Sequence, residues 1–168
     1  MAARKRRALA RIGSLSDAHR VDEIDALRED GPGSLAELAA GLDPGSGVAV
    51  VTEGLLGYLS TDAVLGLWGR IAAALQAFPA GRYVSDLHLA SVQTPVVRLF
   101  RRLLAGFVRG QVYLHFDDAG EAEAALRAAG FTAASVRRAG EIIQLPEREQ
   151  RSLAHILEAS TTDSERRP

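Results

Sequence analysis

Val48-Ala49-Val50-Val51-Thr52-Glu53-Gly54-Leu55-Leu56-Gly57-Tyr58-Leu59-Ser60 opens on four consecutive apolar residues and closes on a residue suited to capping a helix. Such an unbroken apolar run suits a strand buried on both faces, as in a parallel sheet covered by helices. The strand runs directly into an acid and a glycine, then into an apolar turn that holds Tyr58. In open α/β sheets ligands collect beyond the carboxyl ends of the strands, where Glu53 and Gly54 fall. A carboxylate there accepts hydrogen bonds from a ligand ammonium or hydroxyl, and glycine lets a ligand approach the backbone. The same two residues equally suit an ordinary strand–helix loop, with Glu53 serving only as a helix-capping acid.

Downstream, Ser60 or Thr61 is placed to cap a helix, with Asp62 favourable in its first turn. Val64, Leu65, Trp68, Ile71, Ala72 and Leu75 recur at helical spacing. Pro79 and Gly81 end that pattern, and Tyr83-Val84 starts a second buried strand running toward His88. Strand, helix and strand in this order form a right-handed crossover, which predicts residues 48–51 and 83–86 as adjacent strands. Residues 92–108 are apolar and basic, with Leu99, Phe100, Leu103 and Phe107 against Arg98, Arg101 and Arg102. Such a stripe packs on its own domain, with a membrane-surface or partner-binding helix as the rival reading. Residues 118–129 read as an amphipathic helix ended by Gly130. Residues 131–138 and 141–145 read as strands joined at Ala139-Gly140 in a hairpin-like pair. A terminal helix over 146–160 and a disordered tail over 161–168 complete the expectation.

Upstream, residues 34–42 have helical spacing at Leu35, Leu38 and Leu42, and Asp43-Pro44-Gly45-Ser46-Gly47 follows as a turn. Residues 19–24 read as a short strand. Residues 3–12 read as a basic helix carrying Arg4, Lys5, Arg6, Arg7 and Arg11, a solvated face or a binder of phosphate-rich partners. Gly31-Pro32-Gly33-Ser34-Leu35-Ala36 matches a dinucleotide-loop pattern in form only. It follows a charged segment instead of a strand, and Pro32 removes a backbone donor, so it reads as a turn.

The 168 residues suit one domain, taken as 1–160, with 47% hydrophobic and 24% charged residues and a net charge of -1. That charge gives no reason to expect nucleic acid. No apolar run reaches the length of a bilayer span, and the basic start is not followed by a signal-peptide core, so a cytoplasmic protein without a membrane partner is expected. Cysteine is absent, which removes thiolate chemistry and disulfides. His19, His88, His115 and His155 show no metal-ligand spacing, and no nucleophile-elbow motif occurs. Asp86 and His88, near the end of the second strand, are the candidates for a general base.

The segment from Glu53 to Leu59, Glu-Gly-Leu-Leu-Gly-Tyr-Leu after a strand, resembles the fourth-strand motif of the leucine carboxyl methyltransferase group. These are class I S-adenosylmethionine-dependent O-methyltransferases, and they include polyketide O-methyltransferases. Ile24-Asp25-Ala26-Leu27-Arg28 resembles the acidic segment after that family's third strand. The similarity runs over about residues 4–145. It implies an α/β fold with a doubly wound, mostly parallel Rossmann-like sheet and an antiparallel C-terminal strand pair. It further implies S-adenosylmethionine as cofactor, with Asp25, Ala26 and Leu27 along the adenine and Glu53 and Gly54 at the amino acid part. Tyr58 would then face a small-molecule acceptor, a carboxylate or hydroxyl in secondary metabolism, and residues 92–108 would cover it.

The family's domain begins with a strand, a glycine-rich turn, a helix and a second strand ending in a ribose-binding acid, and none of these precedes Arg4. The expectation is therefore a domain lacking its N-terminal part, with the edge of the 48–51 strand open to solvent. Because unpaired strands are unstable, either the remaining strands re-pair, or a second copy (a homo-oligomer) or partner chain covers that edge, or the chain is marginal alone. The alternative reading is a catalytically inactive remnant of the fold that acts as a binding or structural protein.

Overall fold

Three helices begin where a short polar side chain accepts the N–H three residues on, which relieves one of the unpaired donors of a helix start. Ser34 Oγ accepts from Glu37, Ser60 Oγ from Ala63 and Asp118 Oδ1 from Glu121, at 3.1, 3.3 and 2.9 Å. The computed structural model describes residues 2–13, 16, 19–92, 113–142 and 154–162. Its helices are α1 (Ala2–Arg11), α2 (Leu35–Ala40), α3 (Thr61–Leu75), α4 (Ala119–Ala128) and α5 (Ala139–Ile142). The strands are β1 (Val48–Thr52), β2 (Gly81–Leu87), β3 (Ala133–Arg138) and β4 (His155–Ser160).

The four strands make one sheet in the order β1-β2-β4-β3. β1 and β2 are parallel, with Val48 opposite Gly81 and Thr52 opposite Ser85. β4 lies antiparallel between β2 and β3, pairing Ser85 with Leu157 and Val136 with the same Leu157. The adjacency of β1 and β2 expected from the two apolar runs is therefore present, linked by α3.

One core lies on one face of this sheet. α3 buries Val64, Leu67, Trp68, Ile71, Ala72 and Leu75, each large side chain contributing about 1.5–3 kcal/mol. α4 adds Ala122 and Leu126, and the strands add Tyr83, Leu87, Val136, Leu157 and Ala159 to the same cluster. Trp68 stacks on Phe116 at 5.2 Å between centroids, and Tyr83 on Phe131 at 5.9 Å. These offset pairs add to the area they bury.

Several expectations are corrected. β1 is not buried on both faces: it sits at the edge of the sheet, and Val51 is 68% exposed on the face away from α3. Residues 20–24 form no strand, and only an isolated bridge joins Ser16 to His19. β3 pairs with β4, and residues 143–145 of the expected second strand lie outside the described residues. Glu141 and Ile142 are helical, and the second strand of the antiparallel pair is His155–Ser160, within the stretch expected to be a helix. Leu157, fully buried between β2 and β3, explains the change, since pairing on both sides outweighs local helical spacing. Thr161 continues the course of β4, its N–H donating to Gly81 at 3.1 Å. Residues 93–108 of the apolar and basic segment, 143–153 and 163–168 lie outside the described residues.

Candidate functional site

The parallel pair sends the carboxyl ends of β1 and β2 to the same edge of the sheet, so Glu53, Gly54, Asp86 and His88 are neighbours by topology. A chain of hydroxyls ties the two ends together. Thr52 Oγ1 lies 2.9 Å from the Tyr83 hydroxyl and donates to Ser85 Oγ at 2.8 Å. Ser85 Oγ in turn donates to the Asp86 carbonyl at 3.1 Å. With those donors assigned, the Tyr83 hydroxyl donates to Thr52. This satisfies Ser85 and Tyr83, which are almost wholly buried and would otherwise carry a desolvation cost of about 1–3 kcal/mol each.

Above this chain the backbone turns sharply. Gly54 has φ +59, in the left-handed region that glycine adopts most readily. Its N–H donates to Asp86 Oδ1 at 2.8 Å. A Cβ built on Gly54 would meet nothing within 4 Å, so the space beside this backbone is open. Glu53 is exposed, and among the described residues its carboxylate makes no hydrogen bond or ion pair. His88 is exposed as well.

Tyr58 ends a 3-10 turn, Leu56–Tyr58, and is 57% exposed. That turn is clamped by residues 113–116. Tyr113 N–H donates to the Gly57 carbonyl at 2.9 Å. His115 Nε2 lies 2.9 Å from the Leu56 carbonyl and its Nδ1 lies 3.1 Å from Thr61 Oγ1. The carbonyl can only accept, so Nε2 carries a proton and donates to it. His115 thus joins the Tyr58 turn to the first residue of α3. Neither this histidine nor the Thr52–Tyr83–Ser85 chain is marked by any sequence motif, because the partners are more than thirty residues apart.

The other expected site residues are held elsewhere. Asp25 Oδ1 accepts from Leu27 N–H at 3.1 Å, and Asp25 N–H donates to the Gly33 carbonyl at 2.8 Å. Arg70 Nε donates to the Ala26 carbonyl at 3.1 Å, fixing the turn to α3. Among the described residues, no hydrogen bond links residues 25–27 to Glu53 or Gly54. The Gly31–Gly33 stretch is absorbed in starting α2: Gly33 N–H donates to Glu37 Oε2 at 2.6 Å while Ser34 caps the helix. A groove of about 410 Å³ between α2 and α3 is lined by Leu35, Ala39, Ala73, Ala77 and Phe78, and no candidate residue faces it. Among the described residues no helix is long and apolar enough to cross a membrane, and no group of three metal-ligating side chains comes together.

This architecture is similar to that of solved methyltransferases. The S-adenosylmethionine-dependent methyltransferase SibL in its apo form matches 94% of this chain at 17% identity and a TM-score of 0.58. An O-methyltransferase family protein from Burkholderia thailandensis matches 97% at 17% identity and 0.57, and PigF with SAH matches 94% at 18% and 0.57. The chain spans only 40–41% of the length of these structures. No family model and no curated protein matches the sequence. At such low identity the likeness establishes the fold alone: an α/β domain with an open, Rossmann-like sheet similar to that of these structures.

Proposed function

We propose that this chain forms part of an S-adenosylmethionine-dependent O-methyltransferase acting on a carboxylate or hydroxyl of a small molecule. The observation that carries the reading is the exposed Glu53 carboxylate, without a partner among the described residues, beside the left-handed Gly54 at the carboxyl end of a parallel strand in a methyltransferase-like fold. These residues fit one part of the cofactor. A carboxylate with no partner suits its ammonium or a ribose hydroxyl, and the open space at Gly54 admits a ligand against the backbone. The Gly54 N–H, already donating to Asp86, is not offered to the cofactor's carboxylate. Bound there, S-adenosylmethionine supplies an electrophilic methyl group.

The protein's own residues bind and orient, which is the larger part of what methyl transfer requires. Glu53 and Gly54 hold the amino acid part, Asp25, Ala26 and Leu27 line the adenine, and Tyr58 faces the acceptor. Asp86 and His88 stand at the end of β2, and His88, exposed at that end, remains the candidate for accepting a substrate proton. The subgroup closest in character is the leucine carboxyl and polyketide O-methyltransferase type, on the strength of the Glu53–Leu59 motif. A second reading has its own support: a remnant of the fold that binds a partner instead of turning over substrate. The open edge of β1, with Val51 exposed, favours a partner chain or second copy there.

Calorimetric titration with S-adenosylmethionine separates the two. The expected result is weak binding that Glu53→Ala weakens at least tenfold, because a hydrogen bond to a charged group contributes about 1.5–3 kcal/mol. No binding by the wild-type chain at millimolar cofactor would overturn the enzyme reading in favour of the second.

A further inference from the structure

Asp86 stands where a general base is expected, yet its carboxylate is engaged with the backbone. Oδ1 accepts the Gly54 N–H at 2.8 Å across the ends of β1 and β2. Gly54 has no side chain, and a Cβ there would touch nothing within 4 Å, so no packing at Gly54 itself holds this backbone. Its left-handed backbone, φ +59, is held by the chain on either side and by the bond to Asp86. Asp86 itself is fixed from below: its carbonyl accepts from Ser85 Oγ, which accepts from Thr52 Oγ1 on β1 at 2.8 Å. The residue between Thr52 and Gly54 is Glu53, whose exposed carboxylate has no partner among the described residues.

We propose that Asp86 is a positioning residue: by holding the Gly54 N–H it sets the turn that presents the Glu53 carboxylate to a cationic or hydroxylic group of the ligand. In this role it moves no proton. The identity of the ligand rests on the methyltransferase reading above. The hydrogen bond and its effect on the turn do not.

The distinction between positioning and proton transfer is accessible because asparagine keeps an acceptor oxygen but cannot serve as a base. Amide hydrogen exchange at Gly54 is measured without ligand in the wild-type chain, Asp86→Asn and Asp86→Ala, and each is titrated with S-adenosylhomocysteine. In Asp86→Ala, Gly54 exchange rises about tenfold and affinity falls about tenfold, the loss of one charge-assisted hydrogen bond. In Asp86→Asn both stay within a few-fold of wild type. Equal Gly54 protection in all three chains would overturn the proposal, as would affinity lost alike in Asp86→Asn and Asp86→Ala. If the wild-type chain binds no S-adenosylhomocysteine while the exchange pattern holds, the methyltransferase reading fails and the anchoring of the turn by Asp86 stands. Should Asp86→Ala not fold, Asp86→Ser, too short to reach Gly54, takes its place in the same comparison.

Discussion

The Nε–H of Arg70 donates to the carbonyl oxygen of Ala26 at 3.1 Å, tying the Asp25-Ala26-Leu27 turn to the flank of α3. Arg70 lies well along the helix that begins at Thr61, about 13 Å from its first residue at 1.5 Å per residue. The turn and the Glu53-Gly54 segment therefore have separate anchors, Arg70 for one and Asp86 for the other.

Arg70→Ala is expected to release that turn. The bond is a charged donor to a carbonyl in a partly exposed setting, so the loss is about 1 kcal/mol of stability, read from a denaturant melt. Exchange at the Leu27 amide, held by Asp25 Oδ1, rises in the same variant. Arg70→Lys does not restore it, because the planar guanidinium sets the direction of the Nε–H. Unchanged Leu27 exchange in Arg70→Ala would remove Arg70 as the anchor.

Two glycines are expected to respond in opposite directions. A Cβ at Gly81 would lie 2.8 Å from both the Cβ and the carbonyl oxygen of Leu75, and it would also meet Thr161 Oγ1. The obstacle includes backbone, so Gly81→Ala costs about 1–3 kcal/mol. Gly69, inside α3, has nothing within 4 Å of a built Cβ. Gly69→Ala therefore raises stability by about 0.5–1 kcal/mol, from helix propensity and a less flexible unfolded chain. Thermal melts of the two variants check both signs.

Val51→Lys tests the open strand. Val48 N–H donates to Ala80 on the side of β2, so by alternation Ala49 and Val51 direct their N–H and C=O groups outward. An uncharged strand edge of this kind invites pairing with another chain, and an edge lysine opposes it. Sedimentation velocity is expected to show self-association in the wild-type chain and less of it in Val51→Lys. Because Val51 is 68% exposed, stability changes by less than about 0.5 kcal/mol. A wild-type chain that stays monomeric at high concentration would rule out pairing through this edge.

Acid sensitivity has one identified contributor. The N–H of Gly45, and then the hydroxyl of Ser46, donate to the Asp43 carboxylate and hold it below its ordinary value of 3.8. A depressed folded-state value contributes stability above the unfolded value and loses it as pH falls through the folded one. Asp43→Asn is therefore expected to flatten the stability profile below about pH 4 and leave its shape at neutral pH unchanged. Chemical denaturation across that range measures it, and an unaltered acid limb in the variant would exclude Asp43 as a contributor.

The crossover from β1 through α3 to β2 is legible in the chain because each of its signals is local. Val48 to Val51 lie side by side, Val64, Trp68, Ile71 and Leu75 recur at helical spacing, and Ser60 caps the helix from the next position. Gly31-Pro32-Gly33 likewise declares itself a turn, and it leads into α2, with Gly33 N–H donating to Glu37 Oε2 just before the Ser34 cap. The segment His155–Ser160 is different. Its side chains satisfy a helical pattern as well as a strand, and its state depends on β2 and β3 arriving on its two sides. Sequence spacing cannot weigh partners that lie about seventy and twenty residues away.

The candidate site divides along the same line. Residue type and order alone put an acid and a glycine at the carboxyl end of a strand, since the end of β1 is fixed by where its apolar run stops. The rest is the work of tertiary structure. That Asp86 holds Gly54 while Glu53 has no partner among the described residues depends on the parallel register of β1 and β2. That β1 is an exposed edge, and not the doubly covered strand its composition suits, depends on which strands pair with it. Apolar patterning specifies what a segment is able to bury. Only the assembled sheet decides what covers it, because burial is a property of both surfaces in contact.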